Sequence, residues 1–307
     1  MKKVTLVFLA LLLVLVLPTM GKSGALQTSL VPQNTQWLLH FDMQQFISTR
    51  LGELLLGEEN GKFHKASQYL AQHLKMDPFK DFFGVTIFGQ GKDEHKAVVA
   101  LAGNFNQEFI LSLLGKEKGH KESRYGKYTI HNWGCTQFGV FAGDKLVLIG
   151  KDEEAVKAAL DVFGGKKKSI TGTKMMSYLK EIPKDAFLKV VADDISSIIG
   201  DHHQPVMLKK AGMAFFMALE KSENLKLKLR LTTDSPETAK SIEQIANGLV
   251  ALVKLQQKEE AAKLQPLLDS LKISLKGNTI QMELSYPSEE LVKMLSHHKD
   301  EHVHLDF

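Results

Sequence analysis

The densest group of metal-ligating side chains in this 307-residue sequence lies at its very end. His297, His298, His302 and His304 crowd the last eleven residues, with Asp300, Glu301 and Asp306 among them. Neutral imidazole suits Zn²⁺, Cu²⁺ and Ni²⁺, and carboxylates can complete such a site. These four histidines are the candidate ligands for Zn or another divalent metal. Ordering a tail beyond the last helix costs entropy and works against a tight site. No other cofactor is expected. His202-His203 is a second pair, just ahead of Pro205. His64 and His73 are nine apart on one expected helix, about 180° around it, and cannot share an ion.

Two further groups have the residue types of proton transfer. His131-Asn132-Trp133-Gly134-Cys135 compresses the members of a thiol-protease site into five positions. A working Cys–His pair draws its groups from separate parts of a chain, so the expected reading is two strands meeting at Gly134. In the strand Gln36–Asp42, His40 and Asp42 share a face and Trp37 takes the other. A structural hydrogen bond, or a helix cap by Asp42, is expected there rather than catalysis. No G-x-S-x-G, phosphate-binding G-x-x-x-x-G-K-[ST] or H-E-x-x-H occurs, and Gly89-Gln90-Gly91 falls in a hairpin turn. No catalytic or cofactor-binding residue is assigned.

The elements that would position these groups alternate between strands and helices. Strands are expected at 36–42, 83–88, 96–102, 128–133, 137–141 and 145–149, with helices at 43–56, 62–74, 107–114 and 152–163. After a helix at 174–180, Pro183-Lys184-Asp185 marks a boundary and the order starts again. Strands are expected at 186–191, 213–219, 225–232, 271–275 and 279–284. A short helix at 193–199, a long one opened by Ser235-Pro236 and a last one capped by Ser288 complete the second half. An offset of 128 lays Gly84 on Gly212, Val99 on Leu227 and Leu101 on Leu229. The expected fold class is therefore α+β: two tandem related units of antiparallel sheet, ferredoxin-like or similar, with helices packed on one face.

Residues 1–25 have the layout of a signal peptide. Lys2 and Lys3 precede the apolar run Val4–Leu17, Pro18 ends it, and small residues follow. That run is too short to span a bilayer as a helix, which needs about 20 residues. Cleavage is expected after Ala25, with Thr19 and Gly21 marking another site. The divisions are then 1–25 signal peptide, 26–182 first unit, 183–296 second unit and 297–307 tail. The formal net charge is +4, and Lys2, Lys3 and Lys22 contribute three of it. The mature chain keeps 36 basic against 35 acidic side chains, since 39 less 3 is 36. Nothing remains of a footprint for nucleic acid. Cys135, the single cysteine, is either a small buried apolar residue or an intermolecular link.

The segment Pro32-x-x-Thr35-x-Trp37-x-x-His40-x-Asp42-x-x-x-Phe46, followed by Leu51-Gly52, resembles the mature N-termini of a loose group of uncharacterised secreted proteins from environmental Gram-negative bacteria. The resemblance covers about twenty residues and implies export and a duplicated α+β layout, with no catalytic residue. The leading expectation is a non-enzymatic periplasmic or secreted protein that binds an envelope or extracellular protein through its sheets or its long helix. A carrier of an apolar ligand, lined by the stripe of residues 242–271, comes second, and a hydrolase third. No nucleic-acid partner and no integral membrane span after signal cleavage are expected.

Overall fold

A computed structural model describes residues 24–57, 62–134, 136–195, 211–255 and 259–297. Its centre is one twelve-stranded antiparallel sheet. In chain order the strands are β1 (Trp37–Asp42), β2 (Phe82–Gly89), β3 (Val98–Gly103), β4 (Lys121–Tyr125), β5 (Tyr128–Trp133), β6 (Gln137–Gly143), β7 (Leu146–Gly150), β8 (Leu188–Ala192), β9 (Ala211–Lys221), β10 (Asn224–Thr233), β11 (Lys272–Lys276) and β12 (Thr279–Pro287). They lie in the order β11-β12-β10-β9-β8-β1-β2-β3-β7-β6-β5-β4. Strands β1 and β8 pair at the middle, His40 opposite Lys189 and Leu38 opposite Val191. Outward from that pair, each half repeats one pattern: three strands in chain order, then two with their order reversed. The first half adds the β4–β5 hairpin at its outer edge.

The helices are α1 (Met43–Ile47), α2 (Arg50–Gly57), α3 (Lys62–Leu74), α4 (Pro78–Asp81), α5 (Gln107–Leu114), α6 (Glu153–Phe163), α7 (Lys174–Glu181), α8 (Pro236–Leu255), α9 (Glu259–Asp269) and α10 (Ser288–His297). Short polar side chains open several of them. Asp42 accepts from the Gln45 amide at 3.1 Å, Asn106 from Phe109 at 3.0 Å, Asp152 from Glu154 at 2.8 Å and Ser235 from Thr238 at 3.1 Å. Each satisfies an amide that the first helical turn leaves without an internal partner.

The expectation of helices on one face does not hold. Val156 and Leu160 of α6 and Met175 of α7 share a cluster with Leu38 and Leu148. On the other face, Phe46 of α1, Leu51 of α2 and Val292 of α10 pack with Phe41 and Ala218. Leu38 and Phe41 are three apart on one strand and so point to opposite sides. Burial on both faces explains the near-continuous apolar run Phe82–Gly89, buried at seven of its eight positions. The single wide sheet likewise replaces two separate ferredoxin-like sheets, because β1 and β8 each have a free edge to offer the other.

The halves are also clipped together by side chains. Glu220 on β9 accepts from the amides of Arg50 at 2.6 Å and Leu51 at 2.8 Å, and from the Ser288 hydroxyl. One carboxylate thus faces the starts of α2 and α10, where helix dipoles favour negative charge.

Candidate functional site

Three places on this frame gather polar chemistry or unpartnered apolar surface. The first is the seam where β8, β1 and β2 meet. The register aligns Lys189, His40 and Thr86 in one row on the face covered by residues 24–31. His40 is buried, and its Nδ1 lies 2.9 Å from the Thr86 hydroxyl. Burial, and then the nearby Lys189 ammonium, lower its pKa from 6.5 to about 3. Lys189 donates to the carbonyls of Ala186 at 2.6 Å and Lys184 at 3.3 Å, while burial pulls its pKa down. Asp42, two residues along the strand on the same face, is buried too, and burial raises its pKa. Each group is held by backbone or by a neighbour, as a structural row would be.

The other motif positions have equally structural partners. Trp37 donates its indole N–H to the Gly91 carbonyl at 3.1 Å and lies on Gly89, where a Cβ would meet the ring at 2.6 Å. Phe46 forms an aromatic trio with Phe41 and Phe187, at centroid distances of 5.4 and 5.1 Å. Gly52 lets α2 approach the Phe46 carbonyl, which a Cβ would meet at 2.2 Å.

The second place is the α8–α9 hairpin. Near its start α8 buries Thr238, Ala239 and Ile242 against the sheet, beside Leu231 and Ile280. Beyond Glu243 come ten uncharged residues, 244–253. The apolar stripe runs on past the support of the sheet: Ile245 is 43% exposed, Leu249 60%, Leu252 57% and Leu255 80%. A Lys254–Asp269 ion pair of 2.6 Å ties α8 to α9. Pro266 lies inside α9.

The third place is the outer edge of the first half. Strand β4 pairs Glu122 with His131 on β5, and His120 precedes β4. His120 Nε2 lies 3.2 Å from His131 Nδ1, and a Glu122 carboxylate oxygen lies 3.5 Å from that same Nδ1. The two imidazoles stack at 5.4 Å with planes 9° apart. His131 is buried, and desolvation lowers its pKa, opposed by Glu122 and helped by His120. Sequence reasoning placed His131 on a strand but passed over His120 and Glu122. Their signal was the H-x-E spacing across a turn from a buried histidine.

Of the candidate ligands at the chain's end, His297 closes α10, while His298, His302 and His304 lie outside the described residues, as do His202, His203 and Cys135. Next to Cys135, Asn132 donates to the Gln137 carbonyl at 3.1 Å, and His131 turns toward β4. Lys166 and Lys167, in the loop that follows α6, approach the Asp161 carboxylate at 3.9 and 3.1 Å.

No protein-family model matches the chain, and no curated protein matches it in sequence. Among solved structures it is similar to TP0453. Crystal form III of that protein superposes with a TM-score of 0.48 at 10% identity, over 88% of this chain and 97% of that one. Crystal form I gives 0.46 at 9% identity, over 88% and 96%. No residue role is carried over from these likenesses. Among the described residues, no helix is long and apolar enough to cross a membrane.

Proposed function

We propose that this is an exported, non-enzymatic binding protein whose α8 stripe seats in an apolar groove of an envelope protein. The observation that carries the reading is the exposure of Ile245, Leu249, Leu252 and Leu255 along one helix. Surface stripes of this kind are uncommon without a partner. Ile245, Leu249 and Leu252 stand at i, i+4 and i+7, the anchor spacing of a helix laid into a protein groove. A helix adsorbed on lipid carries a strongly charged polar face, and residues 244–253 carry no charge at all. Leu249 and Leu255 stand open to solvent, which supports docking over carriage of an enclosed ligand.

A photo-crosslinking residue at position 249, in the mature chain added to its own envelope fraction, tests this. The expected result is one discrete protein adduct that Leu252→Glu abolishes and that a probe at Lys240 does not form. Flotation with lipid vesicles alone, or adducts independent of Leu252, would overturn it.

The same reading takes the chain to be a duplicated α+β protein. The repeated strand order of the two halves supports this, with the helices that close them, α6 and α10, on opposite faces. It also moves the expected processing site. Gly24 is buried, and a Cβ there would sit 2.1 Å from the Phe83 carbonyl and 2.5 Å from an Asp42 carboxylate oxygen. A residue so closely built in belongs to the mature protein, which favours cleavage after Gly21 over cleavage after Ala25. Mass spectrometry of the mature N-terminal peptide should find Lys22 first; a terminus at Leu26 would show the opposite.

A further inference from the structure

We propose that His120, Glu122 and His131 form a divalent transition-metal site, suited to Zn²⁺, at the outer edge of the sheet. The backbone gathers them without help from a metal. Glu122 and His131 are direct cross-strand partners, so their side chains leave the sheet on one side. Gly119, at φ +88°, turns the chain just ahead of β4, and the His120 amide donates to the Glu117 carbonyl at 3.1 Å. Only glycine adopts that conformation freely. His120 is thereby delivered against the β5 imidazole.

The distances decide between a hydrogen-bonded cluster and a metal site. Zn²⁺ binds nitrogen and oxygen at about 2.0–2.1 Å, so two ligands of a tetrahedral ion lie about 3.3–3.4 Å apart. Here the nitrogen pair is 3.2 Å apart and the nitrogen–oxygen pair 3.5 Å. All three ligand atoms lie within 4.8 Å of one another. The third edge closes by rotation of Glu122, which is exposed and free to turn. As hydrogen bonds, the 3.2 Å pair sits at the long end of the ordinary range of about 2.7–3.2 Å and the 3.5 Å Glu122 contact lies beyond it. Moreover, both partners face a single nitrogen, His131 Nδ1, which can bond one of them as donor or acceptor and leaves the other facing it unmatched. A cation accepts a lone pair from all three.

The donor set points to the class of ion. Two imidazoles and one carboxylate suit Zn²⁺ and its neighbours Ni²⁺ and Cu²⁺ rather than Mg²⁺ or Ca²⁺, which prefer all-oxygen shells. Three protein ligands leave a fourth position to water on the open side of β4, whose residues 121–124 are exposed.

The test separates this site from the chain's other histidines. In a full-length mature background with His202, His203, His297, His298, His302 and His304 all changed to Asn, titration calorimetry with ZnCl₂ should show one ion per chain. His120→Ala should weaken binding about a hundredfold and Glu122→Gln at least about tenfold. Both positions are less buried than His131, and their metal-free melting curves should match the background, so a lost fold cannot mimic a lost ligand. Co²⁺ in the same background should give the intense visible bands of a four-coordinate ion, absent from His120→Ala. No saturable Zn²⁺ binding in the background protein, or equal affinity in the background, His120→Ala and Glu122→Gln, would overturn the site.

Discussion

The two halves of the sheet differ most between their third and fourth strands. In the first half, β3 leads through the short helix α5 into the β4–β5 hairpin, which extends the sheet and ends in a polar, charged edge. In the second half, β10 leads into α8 and α9, a helical hairpin that roots on the sheet and then runs beyond it. One insertion gathers imidazoles and a carboxylate; the other leaves an apolar stripe open. An edge strand presents unpaired backbone groups and stays safe by being short and charged, as Lys121–Tyr125 is. A helix satisfies its own backbone and is free to present leucines. The same slot thus yields two kinds of surface, set by which backbone group remains to be satisfied.

What both halves share is the seam at β8, β1 and β2, and breaking it should have the largest effect. His40 titrates near 6.5 when unfolded and at about 3 when folded. Above pH 6.5 neither state holds the proton, and its contribution to stability is fully present. As pH falls below 6.5, the unfolded chain binds a proton that the folded chain refuses, so stability is lost until about pH 3. At about 1.4 kcal/mol per pH unit, the loss is of order 2 kcal/mol at pH 5 and approaches 5 kcal/mol near pH 3. His40→Gln keeps a polar group facing Thr86 and should remove this slope. The check is urea denaturation of both proteins at pH 7, 6 and 5, where Asp42 and Lys189 contribute similarly to each. Parallel stability profiles would mean that His40 is not held neutral by the seam.

Much of this architecture was legible in the sequence, for reasons particular to each element. The hairpins β2–β3, β6–β7, β9–β10 and β11–β12 announce themselves by apolar strands around polar or glycine-bearing turns, and the caps Asp42, Asn106, Asp152 and Ser235 by residue type and place. Strand β4 did not. The segment Lys-Glu-Ser-Arg-Tyr has no apolar residue before Tyr125, and a solvent-exposed edge strand needs none. With β4 went His120 and Glu122, since only the pairing of Glu122 with His131 makes them neighbours. The joining of the halves was invisible for another reason. Trp37 and Ala192 pair across more than 150 residues, and no local pattern records which edge meets which. The face each helix covers was hidden likewise, although the near-continuous apolar run Phe82–Gly89 carried the hint that both sides of the sheet are buried.

A smaller effect distinguishes the root of α8 from its tip. Ile242 is 7% exposed and packs with Ile280, so Ile242→Ala removes buried methyl groups and leaves a cavity, costing about 2–4 kcal/mol. Leu249, two turns further along the same stripe, has solvent on its outer side. Leu249→Ala should change stability by less than about 0.5 kcal/mol, because the groups it removes are not buried on folding. Between them, Gly248 has open space where a Cβ would be, so Gly248→Ala should raise stability by about 0.5–1 kcal/mol through the helix backbone alone. Urea midpoints of the three variants, at two protein concentrations tenfold apart, read out the comparison. A Leu249→Ala loss as large as that of Ile242→Ala would place the tip against protein. If that loss grew with concentration, the surface covering it would belong to a second copy of the chain, and the α8 stripe would not be a free docking face.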